Sequence, residues 1–171
     1  MKRRFLFIFL AFIIFLIDQF SKAGIKGSLY FGSRITLIPG LLNLTYVENR
    51  GGAFGIFATV GSPYKAIIFS AFSLAAIGII LYYLIKLPLE NNLLSLGLAL
   101  ILSGAIGNFL DRVRLGYVID FIDLHIKGYH WPTFNLADTA ICIGLGIIGI
   151  SYIFSSPKKS SSVKKELSDA S

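Results

Sequence analysis

A chain of 171 residues that is 55% hydrophobic and only 15% charged falls outside the ordinary soluble class, where about 25% of residues carry charge. Its mean hydropathy of +0.75 instead suits a multispanning membrane protein. The net charge of +7 would suggest nucleic acid in a soluble domain. Here, however, the clearest basic clusters are Lys2-Arg3-Arg4 and Lys158, Lys159, Lys164 and Lys165, which abut apolar segments. That placement points to topology and anionic lipid, with no nucleic acid as partner.

Phe5 to Ile17 is unbroken apolar sequence, followed by Asp18, Gln19 and Lys22. A cleaved signal shares the basic start and the apolar core. Asp18 interrupts that core and three more apolar segments follow, so the sequence predicts a retained first span over residues 4–22. Asp18 and Lys22 are four apart and share a helical face, where they can pair.

Residues 24–63 are too polar and too broken to span. Ile35 to Ile38 and Leu42 to Val47 are β-prone runs, punctuated by Pro39-Gly40, which predicts a small sheet within an outer segment of about 25–62. Asn49 and the pair Gly51-Gly52 allow an unusual backbone beside a ligand or an ordinary turn, and residues 56–61 suit a short helix or reentrant piece.

The second span is expected over 64–87 and the third over 93–111, joined by a very short turn at Glu90-Asn91-Asn92. Ser103, Gly104, Gly107, Asn108 and Asp111 recur at spacings of three and four and so lie on one helical face. Small residues there permit close helix approach, and Asn108 and Asp111 add polarity that packing alone does not need. Arg112 and Arg114 follow, placed to neutralise carboxylates or meet headgroups.

Residues 115–131 read as a loop containing a strand-like run from Tyr117 to Asp123. Alternation puts Tyr117, Ile119, Phe121 and Asp123 on one face and Val118, Asp120 and Ile122 on the other. Tyr129 and Trp131 suit the interfacial belt. His125 and His130 are five apart, unlike the two histidines four apart of zinc proteases, and read as structural. Cys142 is the single cysteine, so no internal disulfide forms. No zinc or haem ligand set is apparent, and no metal or cofactor is expected.

The fourth span is expected over 136–155, capped by Thr133 or Asn135. Asn135 and Asp138 lie on one side of its first turn, where the helix dipole favours negative charge. Asp138 therefore serves either the cap or a site. Gly144, Gly146 and Gly149 permit close packing. Residues 157–171, rich in serine and lysine, read as a disordered basic cytoplasmic tail, and 1–156 as one membrane-embedded domain. The expected fold class is a membrane all-α bundle of four transmembrane helices with a small extracytoplasmic β-sheet and outer-face loops.

Four spans put both termini on one side, and the basic ends make that side cytoplasmic. Asp18, Asn49, Asn108, Asp111, Asp120, Asn135 and Asp138 then converge near the outer face. Four of the nine acidic residues, Asp111, Asp120, Asp123 and Asp138, fall between Ser103 and Asp138. Two aspartates sharing one proton can cleave an amide by activating water and protonating the carbonyl oxygen. A transporter or ion-conducting protein using the same carboxylates is the alternative, though it would prefer acids deeper in the spans. A structural or chaperone-like membrane subunit is a further one, and would tolerate neutral replacement of Asp120 and Asp138.

Five short segments resemble, in order, the motifs of the bacterial lipoprotein signal peptidase family, signal peptidase II. They are Asp18-Gln19 with Lys22, the run NRGGAFG from Asn49 to Gly55, GAIGNFLDR from Gly104 to Arg112, GYVIDF from Gly116 to Phe121, and FNLAD from Phe134 to Asp138. Ser103 stands where the family often has glycine. The resemblance implies an aspartyl endopeptidase that removes the signal peptide of diacylglyceryl-modified prolipoproteins just before the lipidated cysteine. It implies Asp120 and Asp138 as the catalytic pair, with Asn49, Gly51, Asn108, Arg112 and Asn135 binding substrate or supporting the site. Asp18, Lys22 and Asp111 would support the fold. It further implies no metal, sensitivity to the cyclic peptide globomycin, and membrane lipid as the medium of a monomer in the bacterial inner membrane.

Overall fold

The structure, a computed structural model, describes residues 2–51, 65–86 and 92–154. Among these residues are four helices, α1 (Lys2–Ser28), α2 (Lys65–Lys86), α3 (Asn92–Leu115) and α4 (Leu136–Phe154), and four strands, β1 (Arg34–Ile38), β2 (Leu42–Asn49), β3 (Val118–Ile126) and β4 (Tyr129–His130). Each helix is long and apolar enough to cross a membrane. Their outer faces carry exposed Phe5, Phe9, Phe12, Ile67, Phe72 and Leu145, a surface that only a hydrocarbon solvent accommodates.

The bundle is organised on α3, whose Leu98, Ala99 and Leu102 pack with Ile77, Ile80 and Leu84 of α2 and Ala11 of α1. The expected small-residue face holds α3 against α4. A Cβ on Gly104 would collide with the Ala137 carbonyl oxygen and reach Ile141 Cγ1 at 2.7 Å. One on Gly97 would lie 2.9 Å from the Gly144 carbonyl oxygen. Glycine there lets the two backbones meet without hydrophobic driving force. Of the three α4 glycines expected to pack, only Gly144 does so, because Gly146 and Gly149 have open space where a side chain would stand.

α1 continues past Lys22 to Ser28. Its charges at Asp18 and Lys22 pair with each other, so neither has to leave the helix for water. α3 ends where Gly116, at φ 79°, turns its N–H onto the Arg112 carbonyl oxygen at 3.0 Å, a left-handed stop that glycine adopts without strain.

The strands form one antiparallel sheet in the order β1-β2-β3-β4. It sits at the end of the bundle where α1 and α3 finish and α4 begins. Tyr46, Tyr117, Ile119 and Phe121 pack there with Ile25 and Leu29 of α1 and Leu136 of α4. The expected alternation therefore holds for Tyr117, Ile119 and Phe121, and the register of β2 against β3 shifts in β2, between Leu44 and Val47. The segment after Leu115 is more ordered than a loop with one short run. β3 extends to Ile126 and turns back through Lys127 and Gly128 into β4. Both turn residues have positive φ, 50° and 83°, the backbone of a two-residue hairpin matched to strand twist. The expected short piece at 56–61, the turn at 90–91 and the tail at 157–171 lie outside the described residues.

Candidate active site

Asp120 is on β3 and Asp138 in the first turn of α4, and one residue connects them. Asn135 precedes α4 as its N-cap. Its side-chain oxygen accepts from the Asp138 N–H at 2.9 Å, and its own N–H donates to Asp138 Oδ2 at 3.3 Å. This reciprocal cap satisfies N–H groups that have no partner inside the helix. Asp138 thus belongs to the cap, and the cap also orients it. The other end of the Asn135 amide donates to Asp120 Oδ1 at 2.7 Å, to the Ile119 carbonyl oxygen at 3.2 Å and to Asn108 Oδ1 at 3.2 Å. Asn135 is fully buried, at 0% exposure, so these partners replace water entirely.

The remaining oxygens of the pair are held by two further amides. Asn49, at the end of β2, donates to Asp120 Oδ2 at 2.9 Å and accepts the Gly51 N–H at 3.0 Å. Asn108 of α3 donates to Asp138 Oδ1 at 2.8 Å. The backbone just before Asp120 is fixed too, because the Ile119 N–H donates to Asp111 Oδ2 at 3.3 Å. Burial, reinforced by the charge of Asp138, pushes the Asp120 carboxyl up to about 7, against the opposing hydrogen bonds of Asn49 and Asn135. Two carboxyl groups close enough to feel each other, one able to keep a proton near neutrality, are equipped for paired acid and base work.

Arg112 faces the charges of Asp138, Asp120 and Asp111 without a direct ion pair to any of them among the described residues. It donates to the Asn108 carbonyl oxygen at 3.4 Å, and its guanidinium lies 5.7 Å from the Phe69 ring centroid of α2. Gly51 is buried beside Asn49, while Gly52 and the residues to Tyr64 lie outside the described part.

Asp18, Lys22 and Asp111 form a buried layer beneath this pair. Lys22 Nζ lies 2.8 Å from Asp18 Oδ2 and 2.9 Å from Asp111 Oδ2, and donates to Asn108 Oδ1 at 3.0 Å. Asp18 also accepts the Ala137 N–H at 2.9 Å. Gly107 permits the approach, because a Cβ there would lie 2.6 Å from Asp18 Oδ2. Gln19 completes the layer, donating to Asp18 and Asp111 at 3.1 Å each and to the Gly107 carbonyl oxygen at 3.3 Å. Sequence reasoning passed over Gln19 as a site residue, although it stands beside Asp18 in the same motif.

Asp123 does not join Asp120. It accepts from Asn43 Nδ2 at 2.8 Å and lies 2.6 Å from His130 Nδ1 and 3.4 Å from Arg34 Nε. Burial works against its charge, but the hydrogen bonds of His130 and Asn43 outweigh that and hold the carboxyl below its ordinary range. The sequence showed no histidine–carboxylate cluster. The fold makes one, with ligand atoms of Asp123, His125 and His130 all within 4.8 Å of one another. A spacing of five fails on a helix but places the two histidines directly opposite each other across a two-residue hairpin.

Residues 10–154 match the family model described as signal peptidase (SPase) II. The lipoprotein signal peptidase of Syntrophus aciditrophicus is 41% identical over 155 residues, covering 91% of this chain and 96% of that one. That of Geobacter sulfurreducens is 43% identical over 137 residues, covering 80% and 84%. Among solved structures, a bacterial membrane enzyme determined by the in meso method superposes with a TM-score of 0.81 at 33% identity, covering 91% of this chain and 92% of the other. Matched over nearly its whole folded length in sequence and in architecture, the chain belongs to the signal peptidase II family.

Proposed function

We propose that this chain is an aspartyl endopeptidase that removes the signal peptide from diacylglyceryl-modified prolipoproteins by water attack on the bond before the lipidated cysteine. The observation that carries the reading is the amide-bridged pair: Asn135 joins Asp120 to the Asp138 turn, and Asn108 and Asn49 hold the outer oxygens. The transporter reading is not favoured beside these family relatives.

In the proposed mechanism the pair carries one proton and titrates as a unit. Burial opposes a second charge on the pair, and the helix N-terminus favours leaving the one charge on Asp138 and the proton on Asp120. Asp138 takes a proton from water as it attacks the scissile carbonyl carbon. Asp120 gives its proton to the carbonyl oxygen, forming a neutral tetrahedral intermediate. As the C–N bond breaks, Asp138 passes its proton to the leaving amine of the cysteine, and the intermediate's hydroxyl returns a proton to Asp120. The pair ends as it began. Asn49, Asn108 and Asn135 act as positioning residues, Gly51 and Arg112 border the substrate path, and Asp18, Lys22 and Asp111 brace α1, α3 and α4 beneath it.

The sheet end faces outward from the bacterial inner membrane in this reading, with both termini cytoplasmic, as the basic ends of the spans support. The substrate's acyl chains stay in lipid beside the helices while its peptide crosses the pair, and one chain suffices as a monomer. The test uses purified full-length protein in detergent with a diacylglyceryl-modified prolipoprotein. Wild type is compared with Asp120→Asn and Asp138→Asn, each checked for folding. Cleavage before the lipidated cysteine, lost in both variants, is the expected result. Unchanged cleavage by either folded variant removes that aspartate from the mechanism, and no cleavage by wild type overturns the reading.

A further inference from the structure

We propose that Asp123, His125 and His130 form a transition-metal site on the sheet, separate from the aspartate pair, which takes a Zn²⁺-class ion with a water in the fourth position. His125 and His130 are directly paired across the β3–β4 hairpin. The Trp131 N–H bonds to the Leu124 carbonyl oxygen at 2.8 Å, so the His125–His130 pair falls at the neighbouring non-hydrogen-bonded position. Opposed side chains approach most closely there. Their rings lie parallel, 4.9 Å apart with an interplanar angle of 10°.

Asp123 lies two residues before His125 and so on the same face of β3. It supplies a buried carboxylate whose Oδ1 points at His130. Two imidazoles and one carboxylate are an established donor set for Zn²⁺ with an open position. The carboxylate is also supported from behind, since Asn43 Nδ2 donates to Asp123 Oδ2, and such an outer partner fixes the direction of a ligating group. Asn43 Nδ2 also lies 3.2 Å from His125 Nδ1, a contact that an ion on that nitrogen would replace. Without the ion, His130 Nδ1 and Asp123 Oδ1 are in direct hydrogen-bond contact at 2.6 Å. The His130 side chain is 40% exposed, leaving it room to turn and admit an ion. Arg34, near the other Asp123 oxygen, is 53% exposed, so water screens much of its opposing charge. The bound ion would tie the short edge strand β4 to β3, closing a hairpin otherwise held at its tip by two residue pairs.

The test is a calorimetric titration of ZnCl₂ into the full-length protein in detergent, with any affinity tag removed and MgCl₂ as comparison. The expected result is one Zn²⁺ per chain in the micromolar range with no response to Mg²⁺. His125→Ala and His130→Ala should each weaken binding at least about tenfold. His130→Gln, which keeps a polar side chain on the hairpin, should do the same. In chelator the His130 variants should melt below wild type, having lost the hydrogen bond to buried Asp123, and every variant should lose the Zn²⁺-induced rise above its own chelator value. Absence of saturable binding to wild type overturns the proposal, and so does binding that is unchanged in either histidine variant.

Discussion

The side-chain nitrogen of Asn135 donates to Asp120 Oδ1 at 2.7 Å while the oxygen of the same amide caps the Asp138 N–H at 2.9 Å. One buried amide therefore sets the direction of a strand carboxylate and of a helix carboxylate together. Asn135→Ala should lower kcat by about 100-fold with little change in KM, because misplacing reacting groups by an ångström has that effect. The lost cap should cost about 1 kcal/mol of stability as well. Steady-state kinetics and thermal unfolding separate the two. A variant with altered KM and intact kcat would assign Asn135 to substrate binding.

The Asp120 carboxyl, raised to about 7 by burial and then by the Asp138 charge, should set the pH dependence of the proposed reaction. Above that pH the pair loses its shared proton, so kcat/KM should fall on an alkaline limb centred near pH 7. Stability has a related slope. An unfolded aspartate ionises near ~3.9, while the folded one still holds its proton. Between those values the folded state binds more protons, so stability falls as pH rises and levels off above about 7. Asp120→Asn should reduce that slope in unfolding curves recorded across the window.

Among the described residues, Lys22 is the single cation between two buried carboxylates, Asp18 at 2.8 Å and Asp111 at 2.9 Å. Lys22→Met should destabilise the protein by about 3–5 kcal/mol, because removing one partner strands the other charges away from water. The measurement is the unfolding temperature in detergent. A Lys22→Met variant as stable as wild type would mean that the layer is dispensable to the bundle.

Gly104 touches the Ala137 carbonyl just before Asp138, whereas Gly146 faces open space. Gly104→Ala should force α3 from the first turn of α4 and lower both melting temperature and cleavage rate. Gly146→Ala should leave both near wild type. Overpacking of this kind costs about 1–3 kcal/mol. Equal behaviour of the two variants would show that helix spacing does not set the aspartate geometry.

The sequence by itself determined the membrane class, the four helices and the small sheet, because hydropathy and residue period are local properties. It also pointed to Asp120, which shares its strand face with aliphatic Val118 and Ile122, and to Asp138 in the first turn of α4, since an acid in an apolar neighbourhood is conspicuous along the chain. It did not contain the partners. Asn135 is 15 positions from Asp120, Asn49 is 71 and Lys22 is 86 from Asn108, and no periodicity encodes contacts across such separations. Only the tertiary structure decided that Asn135 bridges the pair, that Gln19 joins the buried ionic layer and that Asp123 leaves the other acids for two histidines. The reason is the same in each case. Polar groups buried at a helix end must find partners wherever packing brings them, and the packing of α1 and α4 against the glycines of α3 chooses which ones meet.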